Sequence, residues 1–313
     1  MKLAFVFPGQ GSQAVGMLDG FAGSPSVQAL LGQADAALGE PLSTLIAQGP
    51  AETLALTVNT QPAMLTAGYA CWLAWRDAGG PAPAAVAGHS LGEYTALTVA
   101  GAFDVADALR LVRVRARAMQ EAVPVGEGGM AAILGLDDDK VRQACREAAG
   151  EAPGEVVEPA NYNAPAQVVI AGHKAAVERA CERARALGAK RAMPLAVSAP
   201  FHSSLLRPAG ERLAQALASV ALRPPQVPLV NNVDVAIETE PARIRDALVR
   251  QSYGPVRWVE VVQRLQALGV TRVIEFGPGK VLSGLVSRID RSLAVAAVHD
   301  PESLAAALNE TAA

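Results

Sequence analysis

No apolar run in the 313 residues approaches the ~18 that a membrane-spanning helix needs, which argues against a membrane protein. No secretory leader is expected either. Only Leu3–Phe7 is apolar at the start, and Pro8-Gly9 follows at once, so a cytoplasmic location is expected. Positive charge is not in excess: the formal net charge is −3, which argues against a nucleic-acid partner. Cysteine is scarce. Cys71, Cys145 and Cys181 are odd in number, not closely paired, and all in helical patterns, so they read as small core side chains of a reducing compartment. Four histidines without ligand-like spacing leave a metal site little support. Internal repeats and low-complexity tracts are absent.

What is present is an alternation of strand-like and helix-like segments, the pattern of an α/β fold. The length allows one large domain or two modest ones. Strands are predicted at Leu3–Phe7 and Ala84–Ala87. Helices are predicted over Ser26–Leu38, stopped by Gly39, from a Thr60 N-cap with Pro62 in the first turn, over Leu91–Val99, and over Val105–Ala122 after Asp104. A unit of order β-α-β-β-α-β follows: Met130–Leu136, Asp138–Ala149, Val156–Tyr162, Gln167–Ala171, Lys174–Leu187 and Lys190–Val197. That order predicts a ferredoxin-like small subdomain over residues 127–197, inserted into a main α/β domain of residues 1–126 and 198–313. Further strands are expected at Val227–Val230, Arg272–Phe276 and Ala294–Val298.

Gly88-His89-Ser90-Leu91-Gly92 is a G-x-S-x-G between the strand Ala84–Ala87 and the helix from Leu91. That context is the one a nucleophile elbow requires, with Ser90 exposed on a tight strand-to-helix turn beside helix N–H groups. Isolated, the motif occurs by chance in Gly- and Ser-rich loops. A serine nucleophile needs a base. His89 is expected to point away and serve structure, and His173 to be exposed. His202, where the small unit rejoins the main domain, and His299, which Glu275 could orient in the order Ser…Glu…His, both remain open. On a helical wheel Arg115 falls in the apolar face of Leu111, Val112, Ala108, Ala118 and Met119, whereas Arg110, Arg113 and Arg117 lie opposite as solvated side chains. A buried guanidinium needs a partner, either an internal carboxylate or a substrate carboxylate, and the wheel alone slightly favours the former. Gly9-Gln10-Gly11-Ser12-Gln13-Ala14 matches a dinucleotide fingerprint, but no second strand ending in an acid follows, so a nicotinamide site is rejected. A loop presenting N–H groups to the serine fits better. Gly277-Pro278-Gly279-Lys280 lacks the rest of a phosphate-binding loop.

Phe7-Pro8-Gly9-Gln10-Gly11, Gly88-His89-Ser90-Leu91-Gly92-Glu93, Arg115 before Met119-Gln120, Asn161-Tyr162-Asn163, Phe201-His202-Ser203 and Gln251 before Pro255-Val256 occur together and in order. This set resembles the malonyl-CoA:acyl carrier protein transacylases of fatty-acid and polyketide synthesis, from residue 3 to about residue 300. The resemblance implies an α/β-hydrolase-like core with an inserted ferredoxin-like subdomain. It implies Ser90 as the acyl carrier and His202 as its base, oriented by the main-chain carbonyl of Gln251. It also implies Gln10 and Leu91 as oxyanion N–H donors and Arg115 as the clamp on the malonyl carboxylate. Gln61 and Asn163 would lie near the site. Phe201 would exclude a 2-methyl group, although Ala199-Pro200 departs from the polyketide pattern. The implied partners are malonyl-CoA and an acyl carrier protein bearing phosphopantetheine, and no metal or redox cofactor is required. An acidic carrier would meet a basic face, either Arg183, Arg185, Lys190 and Arg191 or Arg110, Arg113 and Arg117. Two rival readings share these residues. A thioesterase on the same scaffold would not need Arg115, and a non-catalytic docking subunit would not need the intact Ser90, His202 and Gln251.

Overall fold

The structure, a computed structural model, describes residues 1–312. Its strands are β1 (Leu3–Phe7), β2 (Ala85–Gly88), β3 (Gly128–Leu134), β4 (Val157–Ala164), β5 (Gln167–His173), β6 (Arg191–Pro194), β7 (Arg272–Phe276) and β8 (Ala294–Val298). They form two sheets of four. One is parallel throughout, in the order β2-β1-β7-β8; the other is antiparallel, in the order β4-β5-β3-β6.

The five apolar residues of β1 are buried on both faces, as a central parallel strand must be. Side chains alternate across the sheet, so Phe5 and Phe7 join one core and Ala4 and Val6 the other. The first core is packed with the helices Thr57–Asp77, Gly92–Val99 and Val105–Glu121, and its phenylalanines meet Phe276 at ring separations of 4.7 and 5.9 Å. The second holds Trp258, Val261, Leu282 and Leu285 of the helices Trp258–Ala267 and Val281–Ile289.

The antiparallel sheet is likewise two-sided. Ala131 and Ile133 of β3 pack with the helices Asp138–Gly150 and Lys174–Ala186. Met130, Val169 and Ala171 face the rest of the molecule, in a core shared with Met119, Phe201 and Leu206. Backbone pairing crosses the same boundary: Tyr162 N–H donates to the Val256 carbonyl, and Val256 N–H to that of Ala160.

The expected fold class is corrected by these sheets. The molecule is a mixed α/β fold on two small sheets, one parallel and one antiparallel, rather than an α/β-hydrolase-like core with an inserted ferredoxin-like subdomain. The segment Val227–Val230, expected as a strand, makes only isolated bridges, Leu229 to Val86 and Val230 to Ile237. The antiparallel unit gives one face to the shared core, and its edge strand β6 is cut to four residues, shorter than Lys190–Val197.

Smaller differences have local causes. The helix expected from Thr60 begins at Thr57, so Pro62 lies inside it, and the Thr60 hydroxyl donates to the Leu54 carbonyl at 2.7 Å instead of capping. Helices at Leu42–Gln48 and Ala51–Leu54 are too short to show a period and went unplaced. The helix expected from Ser26 begins at Pro25, with Ser24 accepting from Val27 N–H, and ends at Gly39 with φ of 66°, the expected stop. Among the described residues no helix is long and apolar enough to cross a membrane.

Candidate active site

Strand β2 ends at Gly88, the chain turns through His89-Ser90-Leu91, and the helix Gly92–Val99 starts at once. The turn is so tight that a Cβ on Gly88 would lie 1.9 Å from the Gly92 carbonyl carbon, and one on Gly92 would lie 1.9 Å from the Phe7 oxygen. Both glycines are therefore steric requirements. Ser90 itself holds a positive φ of 53°, a strained conformation for a side-chain-bearing residue. Asn232 braces the turn from both sides: its Nδ2 donates to the Gly88 carbonyl at 2.7 Å, and its Oδ1 accepts from Ser90 N–H at 2.7 Å.

His202 closes on this turn with Nε2 2.6 Å from Ser90 Oγ. It too has a positive φ, 63°. Its Nδ1 faces the carbonyl oxygens of Gln251 and Gly254 at 2.8 and 3.2 Å. Carbonyls only accept, so Nδ1 carries the proton and Nε2 is left to accept from the serine hydroxyl. Burial, reinforced by the charge of Arg115, lowers the imidazole pKa to about 3. Sequence order alone left His299 with Glu275 as an alternative to the His202 that the resemblance implied, and the structure brings neither to the cavity that holds Ser90. Glu275 accepts from the N–H groups of Leu282 and Ser283 at 3.0 and 2.7 Å, capping a helix, while His299 lies 3.5 Å from Asp300.

Arg115 is 2% exposed and forms no ion pair with a carboxylate among the described residues. Its Nη1 donates to Gln61 Oε1 at 2.8 Å, and its Nη2 donates to Gln251 Oε1 at 3.0 Å and to Ser90 Oγ at 3.1 Å. The Tyr94 ring lies 5.3 Å from the guanidinium carbon, and Nε has no acceptor. Burial depresses the pKa of this arginine, with Tyr94 and Glu93 opposing. Arg113, expected in solvent, is instead buried and bound to Glu40 at 2.7 Å and Asn59 at 3.1 Å.

A cavity of about 150 Å³ opens on Ser90, lined among others by Gln10, Gln61, Leu91, Phe201 and His202. Neither the Gln10 nor the Leu91 N–H donates to a protein acceptor among the described residues. Asn163 stands one layer back. Its Oδ1 lies 2.8 Å from His89 Nε2, which pins β4 to the elbow and gives His89 the structural place expected of it. His173, expected to be exposed, is half-buried and accepts from Val156 N–H at 2.9 Å. Of the candidate docking cations, Arg183 pairs with Glu151, Arg110 with Asp107 and Arg117 with Glu40.

Three residues of the site had no role assigned from the sequence. Glu93 is 1% exposed, and its Oε2 accepts from Asn232 N–H at 2.9 Å and Gln251 Nε2 at 3.1 Å. The test that marked Arg115, a charge inside an apolar helical run, would have found it. Tyr94 lies in the same run. Asn232 offers no signal, because Asn231-Asn232 after an apolar segment reads as an ordinary turn.

Residues 4–304 match the family model described as acyl transferase domain. The chain is 56% identical over 308 residues to the malonyl CoA-acyl carrier protein transacylase of Escherichia coli, covering 98% of this chain and 99% of that protein. The crystal structure of an acyl-carrier-protein S-malonyltransferase from Burkholderia pseudomallei superposes with a TM-score of 0.96 at 62% identity, covering 99% of this chain and all of that one. A structure of a type II PKS acyl-carrier protein in complex with its malonyl-transacylase matches with a TM-score of 0.96 at 50% identity, covering 99% of this chain and 100% of the other.

Proposed function

The chain belongs to the acyl transferase domain family, and from that premise we propose that it transfers a malonyl group from malonyl-CoA to the phosphopantetheine thiol of an acyl carrier protein. The observation that carries the chemistry is a single cluster. Ser90 Oγ lies 2.6 Å from the neutral Nε2 of His202 and 3.1 Å from an arginine without a carboxylate partner.

In the first half-reaction His202 Nε2 takes the Ser90 proton as Oγ attacks the thioester carbonyl carbon. The Gln251 carbonyl on Nδ1 stabilises the resulting imidazolium, so no acidic third member is needed. The Gln10 and Leu91 N–H groups receive the tetrahedral oxyanion, each worth about 3–4 kcal/mol by analogy with other oxyanion holes. Collapse breaks the C–S bond, and the leaving CoA sulfur takes the proton from His202. In the second half-reaction the carrier's thiol gives its proton to His202 and attacks the acyl-enzyme, and the proton returns to Ser90 as the ester breaks. Arg115 meets the malonyl carboxylate, which replaces the missing internal partner and discriminates against neutral acyl groups. Gln61 orients that guanidinium, Asn163 steadies the elbow through His89, and Phe201 bounds the space at the acyl C2. The reaction belongs to the cytoplasm, a reading supported by three cysteines that are all free and buried.

Intact mass after brief exposure to malonyl-CoA and, separately, acetyl-CoA tests this reading. A single malonyl adduct is expected, absent in Ser90→Ala and much stronger than the acetyl adduct. Rapid CoA release without an adduct would make the protein a hydrolase, and no adduct with malonyl-CoA unconsumed would make it a docking subunit.

A further inference from the structure

We propose that Glu93 is a positioning residue for acyl selectivity: its carboxylate holds the Gln251 side-chain amide in one orientation, and that amide aims Arg115 at the acyl carboxylate. The inference rests on the reading of Arg115 as the malonyl clamp.

The argument is one of donors and acceptors. Gln251 is fully buried, and its Nε2 is 2.8 Å from the Ser90 carbonyl and 3.1 Å from Glu93 Oε2. The Ser90 carbonyl only accepts, and so does Glu93 in its carboxylate form, so the amide NH2 faces them and Oε1 faces Arg115 Nη2, 3.0 Å away. Flipping the amide would set NH2 against the guanidinium and a carbonyl against the carboxylate, two repulsive contacts in a low-dielectric interior. The Gln251 and Gln61 side-chain oxygens then hold the guanidinium by its two terminal nitrogens, with the Tyr94 ring alongside.

Glu93 also acts at one remove in charge. A carboxylate in direct contact with Arg115 would occupy the donors that a substrate needs. Placed behind Gln251, it offsets the buried positive charge while leaving those donors available. The groups that set its own ionisation are the N–H of Asn232, the Gln251 amide and Arg115, which favour the carboxylate, and burial and Asp234, which oppose it. Burial wins, and the Glu93 pKa rises to about 7. Selectivity for malonyl over acetyl therefore rises with pH through about 7, as the carboxylate forms.

The test compares acyl-enzyme formation from malonyl-CoA and acetyl-CoA in the full-length wild type, Glu93→Gln, Arg115→Ala and the double variant, between pH 6 and 8. Glu93→Gln is expected to lose about tenfold in malonyl acylation with acetyl acylation within about twofold, and to lose the pH dependence of the ratio. The double variant should be no worse with malonyl than Arg115→Ala alone. An equal fall for both thioesters, or no fall in either, overturns the proposal. If Arg115→Ala keeps the malonyl preference, the clamp reading itself fails. If it loses the preference while Glu93→Gln keeps it, only the role of Glu93 fails. Should Glu93→Gln not fold, Gln251→Leu removes the bridging amide but keeps the carbonyl that orients His202. A malonyl-selective loss there supports the proposal, and an equal loss overturns it.

Discussion

Ser90 and His202 meet at 2.6 Å although both hold left-handed backbone conformations, with φ of 53° and 63°. Conformations of this kind cost of order 1–3 kcal/mol each and persist only where surrounding contacts over-determine them. Here those contacts are visible. Asn232 grips the carbonyl and the N–H on either side of the elbow, and the Gln251 carbonyl holds the far side of the imidazole.

That bracing gives the first prediction. Asn232→Ala leaves the Gly88 carbonyl and Ser90 N–H without partners, which should destabilise the protein by about 2–4 kcal/mol. Acylation should fall with it, because the nucleophile loses its fixed direction. Chemical denaturation and acylation rates, measured on the same preparation, check both parts. Unchanged stability would mean that backbone geometry alone maintains the turn.

The depressed pKa of His202 sets a pH dependence. Burial lowers it to about 3, against an unfolded value near 6.5, so between those pH values the unfolded chain binds a proton that the native state does not. Stability from this residue is full above about 6.5 and is lost as pH falls toward 3. Glu93 acts in the opposite sense between 4.5 and about 7, since its folded pKa is raised. The two effects oppose each other in the range they share, and the loss becomes steep only below about 4.5. Thermal melts from pH 3 to 8 should show that shape, flattened on the acid side in His202→Ala. Acylation by acetyl-CoA, which does not call on the clamp, should show no inflection near 6.5.

Phe201 is 6% exposed and lines the small cavity over Ser90. Phe201→Ala should enlarge that space and allow acylation by a 2-methylmalonyl thioester, with a stability cost of about 3–4 kcal/mol for the truncated ring. Competition between the two thioesters, read by adduct mass, measures the change. An unaltered preference would place the steric limit on another residue.

Glu275 and His299 provide a control. His299→Ala should leave acyl-enzyme formation within about twofold of the wild type. Glu275→Ala should lower stability by about 1–2 kcal/mol, because two helix N–H groups lose their acceptor. A large loss of acylation in His299→Ala would reopen the other triad.

Strand β1, the elbow around Ser90 and the misplaced charge of Arg115 were legible in the linear sequence, because each is a local pattern: a continuous apolar run, a glycine-bounded turn, a break in helical periodicity. Local pattern did not choose between His202 and His299, since both occupy loops and the packing of distant elements sets which imidazole reaches the serine; only the family resemblance pointed to His202. The width of the sheets was not legible either. Val227–Val230 has a strand's composition, but pairing depends on a neighbour in register, and it makes only two isolated bridges, to Val86 and to Ile237. The sequence by itself determined which residue types could act as nucleophile, base and clamp. Tertiary structure alone decided that Glu93, Asn232 and the Gln251 side chain bind them into one network, because hydrogen bonds between residues more than a hundred positions apart leave no periodicity to read.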